Sequence, residues 1–477
     1  MVTIHILLVL LVTAVAEGQW VNSVFDVAGA LVDSSNIGNF DNTIENLLSS
    51  ISLLGNAAAS GTHECTVKPD EDADACRNVS EIIRSRGFEV KEYNITTPDG
   101  YIIGIQQVIN PLVDPADRNK RRPVILEPGF QTSSVDYCID SVYARPTRWS
   151  SANETEDIED IDMGLSEEEE DRRYPRSLSY YLANRGYNVF VSNYRGNIYG
   201  QTNVNKTVDD PSFWDFSIDE QIDIDLPLKI DLLQRVTGHK KVAYVGWSQG
   251  AMTMFGLLAS RPEYAEIIEP FIAMAPTVFY SNVTSSLNLI FPAVLPASNV
   301  NAGLLYNDQT RYLIRQICDP TQAQLDFCVS VLFSIFGANP RGLQEERLPT
   351  FLHFVPAGTS LKNFIQYAQN HYAINKFIRY DFGTSKNQEV YGQPTPPEYD
   401  ITQIRSKSIA LFAADNDLLA NPKDIENLVA TLGPNLYEFV NMTEVRLQWN
   451  HIDFLHHIRS GVLINPRITK VLDRFTA

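Results

Sequence analysis

The chain has 477 residues, of which 44% are hydrophobic and 20% are charged. This composition can fill one large core or two smaller ones, and it excludes collagen-like, disordered and small disulfide-scaffold classes. The 58 acidic and 38 basic side chains give a formal net charge of -20. A general affinity for nucleic acid is therefore not expected, because such binding needs a basic surface.

The first sixteen residues have the pattern of a secretory signal peptide. A nearly charge-free apolar run from Ile6 to Val15 ends in Ala14-Val15-Ala16, a small-x-small cleavage pattern. About ten apolar residues are too few to cross a bilayer as a helix, and no later apolar run is long enough. We therefore expect a secreted or lysosomal protein that has no transmembrane segment.

Sequons and cysteines agree with this route. The close spacing of Cys65 with Cys76, and of Cys318 with Cys328, permits local disulfides in an oxidising compartment without fixing the connectivity. Cys138 is then the candidate free thiol, or simply a small buried residue. The predicted glycosylation sites are Asn78, Asn94, Asn153, Asn205, Asn282 and Asn441.

Residues 17–62 form an extension that differs from the rest of the chain. Ser, Asn, Gly and Ala are abundant there, yet Ile44, Leu47, Leu48 and Ile51 recur at helical spacing. The pattern predicts an amphipathic helix on a tether. An ordinary helix packed on the body is the first interpretation, followed by a surface-binding segment and then a propeptide.

From residue 123 onward, short apolar runs alternate with helical stretches. Helical periodicity is present at 178–184 and 222–236, and the alternation predicts α/β architecture, a mostly parallel sheet with helices on both faces. A run of eleven acids at 154–171 lacks a periodic apolar face, and it predicts a solvated, poorly ordered loop rather than a partner site. The predicted strands are 123–126, 188–192, 242–245, 271–275 and 408–413.

The alternation of strands and helices lapses near residues 280–400. Apolar or mixed helical segments at 287–295, 325–336 and 361–368 follow one another there without predicted strands. An inserted helical cap would give this pattern. The expected organisation is thus a core at 63–278, a cap or lid at 279–403, and the rest of the core at 404–477.

The most informative motif is Gly246-Trp247-Ser248-Gln249-Gly250, between the predicted strand 242–245 and a predicted helix that includes 251–258. This is the context of a nucleophile elbow. Glycines two residues before and two after the serine leave room for a sharp, strained turn that exposes Oγ. The N–H of Gln249, at the helix start, can donate to an oxyanion. We therefore predict that Ser248 is a nucleophile.

A serine nucleophile needs a base and an orienting acid, which follow it in the order acid, histidine in this architecture. Of the histidines after the predicted cap, His456 and His457 lie in a predicted helix. His451 follows a strand-like run at 445–449 and is the predicted base. For the acid, Asp415 and Asp417 both follow the predicted strand 408–413, and position alone leaves the choice open.

Several of these segments resemble the acid lipases, the group that contains the gastric and lysosomal lipases. The resemblance covers roughly residues 76–475. Its motifs are 413–422 (Ala-Ala-Asp-Asn-Asp-Leu-Leu-Ala-Asn-Pro), 449–454 (Trp-Asn-His-Ile-Asp-Phe), 213–217 (Phe-Trp-Asp-Phe-Ser), 225–227 (Asp-Leu-Pro), 245–250 (Val-Gly-Trp-Ser-Gln-Gly) and 356–360 (Pro-Ala-Gly-Thr-Ser).

The resemblance implies an α/β-hydrolase fold with a helical cap that moves at a lipid surface. It also implies hydrolysis of triacylglycerols or cholesteryl esters at acidic pH, without a metal, another cofactor or a colipase. In this family the acid directly precedes a Leu-Leu pair, which matches Asp417. Cys318 and Cys328 fall where the family has a disulfide in the cap.

The sequence departs from the family pattern at the oxyanion segment. The family's His-Gly-Leu is Pro128-Gly129-Phe130 here, and the residue before the serine, commonly His, is Trp247. Because the first oxyanion donor is a backbone N–H, Phe130 can still supply it. The family suggests no role for the acidic insert or for residues 17–62.

We therefore expect a lipase or esterase that cleaves neutral lipid esters. Ser248 attacks the carbonyl, His451 transfers the proton, and Asp417 holds the imidazole, while the N–H groups of Phe130 and Gln249 stabilise the oxyanion. Two alternatives stay open. One is a carboxylesterase for soluble esters, and the other is an inactive lipid-binding relative.

Overall fold

A computed structural model describes residues 72–148, 164–318, 322–445 and 448–475. The predicted signal peptide, the extension 17–62, Cys65, Asn153 and residues 154–163 of the acidic insert lie outside the described residues. The strands are β1 (Glu89–Thr96), β2 (Tyr101–Ile109), β3 (Pro123–Glu127), β4 (Asn188–Val191), β5 (Thr202–Asn203), β6 (Val242–Trp247), β7 (Ile268–Met274), β8 (Gly303–Leu304), β9 (Thr359–Ser360), β10 (Ile409–Ala413) and β11 (Leu436–Asn441).

Among the described residues, nine strands form one sheet in the order β1-β2-β4-β3-β6-β7-β10-β11, with β5 paired to β2. All neighbours from β4 to β11 pair in parallel, whereas β1, β2 and β5 pair antiparallel at one side. Every residue of β3, β4, β6 and β10 is buried, as expected for strands covered on both faces. The expected mostly parallel α/β sheet is confirmed.

Helices surround this sheet and fill the connections between its strands. They are α1 (Val79–Ser85), α2 (Pro115–Arg118), α3 (Glu167–Arg173), α4 (Leu178–Asn184), α5 (Ile218–Glu220), α6 (Leu226–Thr237), α7 (Gln249–Ser260), α8 (Phe291–Val294), α9 (Asp308–Cys318), α10 (Gln322–Phe336), α11 (Leu348–Phe351), α12 (Leu361–Tyr372), α13 (Thr384–Tyr391), α14 (Pro422–Leu432), α15 (Asp453–His456), α16 (Ser460–Leu463) and α17 (Asn465–Phe475).

Most predicted elements from residue 123 onward are confirmed. The five predicted strands correspond to β3, β4, β6, β7 and β10, and the predicted helix at 178–184 is α4. The predicted helix at 222–236 divides into a π-helical turn, Gln221–Asp225, and α6. Gly238, in the left-handed conformation with φ 76°, ends α6, which is where a glycine C-cap is expected.

Two secondary-structure predictions are wrong in detail. The described part of the strand-like run at 445–449 contains no strand: Val445 ends a short 3-10 helix that follows β11, and Gln448 and Trp449 belong to no strand, whereas residues 446 and 447 lie outside the described residues. Trp449 is buried through its ring, which stacks on His457 at 4.7 Å, so its burial does not require a strand. Strands also occur between residues 280 and 400, where β8 and β9 form a short antiparallel pair.

The described end of the acidic segment, residues 164–171, also differs from the predicted solvated loop. Ser166 caps α3, because its side chain accepts the N–H of Glu169 while the Glu169 carboxylate accepts the N–H of Ser166. The end of this helix packs on the protein, and the side chains of Glu170 and Asp171 are buried. A high density of charge predicts that a segment is solvated. Here one side of the helix faces the protein, and the carboxylates on that side are buried because they have partners.

Candidate active site

The nucleophile elbow joins β6 to α7. Ser248 has φ 55° and ψ -115°, a strained conformation for a residue with a side chain. A Cβ at Gly246 would lie 2.6 Å from the N of Ala251, and one at Gly250 would lie 2.4 Å from the carbonyl oxygen of Glu127. Both glycines are therefore required for the close contact of the elbow with α7 and with the end of β3.

The structure brings Ser248, His451 and Asp417 together. The Nε2 atom of His451 lies 2.8 Å from the Oγ of Ser248, and its Nδ1 lies 2.8 Å from the Oδ2 of Asp417. All three side chains are buried. A serine hydroxyl, an imidazole and a carboxylate in this order can activate the hydroxyl as a nucleophile and stabilise the imidazolium that forms.

Asp417, rather than Asp415, contacts the histidine. The Oδ1 atom of Asp417 accepts the N–H groups of Leu419 and Ala420, both at 2.8 Å, so the turn after β10 fixes the carboxylate. Asp415 is exposed and accepts a hydrogen bond from the side chain of Asn441. Position in the sequence did not decide which of the two acids contacts the histidine. The hydrogen bonds of the turn hold Asp417, and not Asp415, in place for this contact.

Two aromatic side chains hold the His451 ring. Phe336, the last residue of α10, stacks on it with ring centroids 6.0 Å apart and an interplanar angle of 8°, and its carbonyl accepts the N–H of His451. Trp247 lies on the ring at 5.5 Å and donates its indole N–H to the carbonyl of His451 at 3.0 Å. Trp247 thus contributes to the position of His451, a role that the sequence did not reveal.

The two predicted oxyanion donors flank the serine. Gln249 is the first residue of α7, and its N–H points from the positive end of the helix. On the other side, a Cβ at Gly129 would lie 3.2 Å from the Cβ of Ser248, so the segment that carries Phe130 packs directly against Ser248. Neither the N–H of Phe130 nor that of Gln249 donates a hydrogen bond to another described residue.

Asp453 lies next to the histidine and was not singled out from the sequence. Its Oδ2 accepts the N–H of Asn450 at 2.7 Å and the side-chain N–H of Asn339 at 2.8 Å. Asn450 in turn donates to the carbonyl of Gly337 at 2.7 Å. This network fixes the loop of His451 to the end of α10, and burial raises the pKa of Asp453 to about 7.

The histidines that the sequence reasoning set aside have other surroundings. Although burial opposes it, the charges of Asp140 and Asp136 raise the pKa of His456 to about 10, and its Nδ1 lies 2.9 Å from Asp140. Burial lowers the pKa of His457 to about 3. Neither ring contacts Ser248. Among the described residues, no cluster of His, Cys, Asp or Glu side chains could hold a metal ion.

Cys318 and Cys328 form a disulfide that joins α9 to α10. Cys76 is also disulfide-bonded, and Cys138 is a buried free thiol. Of the predicted glycosylation sites, Asn78, Asn94 and Asn205 are exposed. The other two described sites are half-buried, and each donates its side-chain N–H to a carboxylate: Asn282 to Asp424 and Asn441 to Asp415.

Comparison with known proteins identifies the family. A family model described as a partial alpha/beta-hydrolase lipase region matches residues 79–141. The gastric triacylglycerol lipase of Bos taurus is 31% identical over 398 residues, which cover 81% of this chain and 88% of the relative. The chain belongs to the acid lipase family of the α/β-hydrolases.

Other lipases match over a similar share of the chain. Lipase member K of Homo sapiens is 29% identical and lipase lipl-3 of Caenorhabditis elegans is 28% identical, covering 80% and 83% of this chain and 87% and 91% of the relatives. The expected family and fold are confirmed. This acid lipase is a carboxylic ester hydrolase that acts on lipid esters. None of the helices described is both long and apolar enough to cross a membrane.

Proposed function

We propose that this lipase cleaves triacylglycerols or cholesteryl esters through an acyl-enzyme on Ser248. The observation that carries the proposal is the unbroken contact from Ser248 through His451 to Asp417. His451 takes the serine proton as Oγ attacks the ester carbonyl and then gives it to the leaving alcohol. Water then attacks the acyl-enzyme with the same transfers of a proton through His451, which releases the fatty acid. Asp417 keeps the imidazole in the required tautomer throughout.

The N–H groups of Phe130 and Gln249 bind the oxyanion of each tetrahedral intermediate. Donors aimed at the developing charge are worth roughly 3 to 4 kcal/mol each in comparable serine hydrolases. Support comes from the contact of Gly129 with Ser248 and from the absence of another described acceptor for either N–H. The chemistry assigned to these residues needs no cofactor.

Aromatic side chains beside the oxyanion segment support an apolar acyl chain as the substrate. The ring of Phe130 stacks with that of Phe364 at 5.8 Å and meets Tyr367 edge-on at 5.4 Å, while Phe291 lies 5.8 Å from Phe364. Phe291, Phe364 and Tyr367 belong to the segment 279–403, which we propose as a helical cap that moves aside at a lipid-water interface. A neutral acyl chain fits such a lining because it has no charge to desolvate.

We further propose that the enzyme enters the secretory route and works outside the cell or in lysosomes. The pattern of residues 1–16 supports this, as does the disulfide between Cys318 and Cys328, since disulfides persist in oxidising compartments. The exposed sequons at Asn78, Asn94 and Asn205 are accessible to glycosylation.

An activity-based label tests the proposal directly. An organophosphonate ester should stop turnover and form an adduct that maps to Ser248, and Ser248→Ala should abolish both while the protein stays folded. Rates measured across the solubility limit of the substrate should rise when an interface forms. A label on another residue refutes the mechanism, no label at all indicates an inactive lipid-binding relative, and no rise at the interface indicates a carboxylesterase for soluble esters.

A further inference from the structure

A π-helical turn packs along the whole length of the nucleophile helix. The turn, Gln221–Asp225, lies between α5 and α6, and such turns are rare and occur frequently at functional sites. Ile222 fills the middle of the contact, since a Cβ at Gly256 would lie 2.5 Å from its Cδ1. At the far end, the carbonyl of Asp223 accepts a hydrogen bond from Arg261 at 2.9 Å.

At the catalytic end of α7 the contact is a buried pair of amides. The side-chain N–H of Gln249 donates to the Oε1 of Gln221 at 2.8 Å, and both side chains are fully buried. Gln249 is the residue that follows the nucleophile and carries one of the proposed oxyanion donors. The pair therefore anchors the side chain of the same residue whose backbone N–H has to meet the oxyanion.

Stability alone does not explain this amide pair. The remaining polar atoms, Nε2 of Gln221 and Oε1 of Gln249, have no hydrogen-bond partner within the described ranges. Buried polar atoms without a partner destabilise a fold, and an apolar pair of the same shape avoids that cost. A buried amide pair beside Ser248, at a position where an apolar pair of the same shape would pack without this cost, is consistent with a positioning role.

The π-helical turn is itself held in place from its other side. The buried carboxylate of Asp219, in α5, accepts hydrogen bonds from Gln366 at 2.8 Å, from the N–H of Tyr380 at 2.9 Å and from the hydroxyl of Tyr399 at 2.8 Å. Arg379 forms an ion pair with Asp223 at 2.6 Å. Gln221 thus projects from a rigid base, which a positioning group requires.

We propose that Gln221 is a positioning residue that holds Gln249 so that its N–H points at the oxyanion. The inference rests on the proposed serine mechanism. An oxyanion donor acts only within a narrow range of distance and angle, so release of the Gln249 side chain lowers the stabilisation of the transition state without affecting substrate binding.

The test compares Gln221→Leu, which removes the acceptor, with Gln221→Glu, which keeps an acceptor oxygen. Each is assayed for kcat and KM on a soluble short-chain ester, for the Ki of a trifluoromethyl ketone that mimics the oxyanion, and for Tm. For Gln221→Leu we expect kcat to fall about tenfold and Ki to rise by the same factor, because a displaced donor loses part of its effect. KM and Tm should change little, and Gln221→Glu should restore most of kcat.

Arg261→Met is the matched control, since it removes the contact at the other end of the same helix. It should leave kcat and Ki unchanged. If Gln221→Leu does not fold, Gln249→Met, which loses the side-chain amide but keeps the N–H, should show the same loss of kcat and of inhibitor affinity.

Two results would overturn the inference. One is a Gln221→Leu enzyme with the kcat and Ki of the parent, and the other is an equal loss in Arg261→Met, which would indicate general packing. Failure of the proposed function is distinguishable, because the parent enzyme would then neither hydrolyse the ester nor react with a phosphonate.

Discussion

The carboxylate of Asp171 accepts a hydrogen bond from the hydroxyl of Ser141 at 2.7 Å. It also accepts the backbone N–H groups of Tyr143 and Arg176, at 2.7 and 3.1 Å. Burial raises the pKa of this carboxyl above its usual value. The acidic segment therefore ends inside the protein. Its last residue, Asp171, connects residues 141–143, which follow the oxyanion segment, to Arg176, which lies just before α4.

Asp171→Ala should be strongly destabilising. The substitution leaves the backbone N–H groups of Tyr143 and Arg176 and the hydroxyl of Ser141 without this acceptor, which predicts a loss of about 2 to 4 kcal/mol in the free energy of unfolding. Urea unfolding measures this loss. Glu168→Ala is the control, because Glu168 is exposed and pairs with Arg172 one turn away. A similar loss in both variants would contradict the assigned role of Asp171.

The two aspartates after β10 should differ widely in their effect on turnover. Asp417→Asn keeps the size of the side chain but leaves His451 in the wrong tautomer to accept the serine proton. In serine proteases the corresponding change lowers kcat about 10⁴-fold. Asp415→Asn should lose little, since Asp415 is exposed and contacts Asn441. Steady-state kinetics on a soluble ester compares the two, and a reversed order would remove Asp417 from the mechanism.

The core of the fold could be predicted because its strands have local patterns in the amino-acid sequence. Continuous apolar runs predict β3, β6 and β10, because buried parallel strands need no polar face. The edge strand β11 was missed, since its residues are only partly buried and its apolar side chains are no more regular than those of a loop. The pairing of β8 with β9 depends on contact between distant segments, which no local pattern encodes.

The same distinction between local sequence patterns and contacts of distant segments applies to the site. The spacing of Gly246, Ser248 and Gly250 contains the geometry of the elbow, so the strained turn at Ser248 could be predicted. Phe336 and Gln221 could not, because Phe336 reaches His451 only by folding of α10 onto the core. The role of Gln221 depends on a π-helical turn that has no reliable signature in a single sequence.

The disulfide between Cys318 and Cys328 should stabilise the pair α9 and α10. Closing a loop of this size restricts the unfolded chain by roughly 3 kcal/mol in the chain-entropy model. Cys318→Ala with Cys328→Ala should therefore lower the Tm and increase proteolysis in this segment. Cys138→Ala is the control, because Cys138 is a free thiol and its removal leaves both ends of the bond intact. Mapping of two free thiols in the parent protein would contradict the bond itself.

Asp453 should make the protein less stable as the pH rises from about 4 to about 7. Burial raises its pKa in the folded protein to about 7 from a usual value of 3.8. A raised pKa contributes stability that is fully present below about pH 3.8 and is lost as the pH rises through about 7. Asp453→Asn removes the titration but keeps an oxygen for the N–H groups of Asn450 and Asn339. The fall in Tm between pH 5 and pH 8 should then become smaller, and an unchanged fall would assign it to another group.

His457 should make the protein less stable as the pH falls, which is the opposite of the effect of Asp453. Burial, assisted by the charges of Arg459 and Arg176, lowers its pKa in the folded protein to about 3 from a usual value of 6.5. The folded state therefore holds a neutral imidazole, whose Nδ1 accepts the N–H of Arg459 at 2.9 Å. The stability that this neutral ring contributes is present above about pH 6.5 and is lost as the pH falls toward 3, because the unfolded chain takes up the proton first.

His457→Gln replaces the ring with a neutral group that can still accept that N–H. Stacking on Trp449 is lost, so the variant should be less stable than the parent near pH 7. Its Tm should nevertheless fall less between pH 6.5 and pH 4, so that the two stability curves converge in acid. Parallel curves over this range would mean that His457 does not titrate on unfolding.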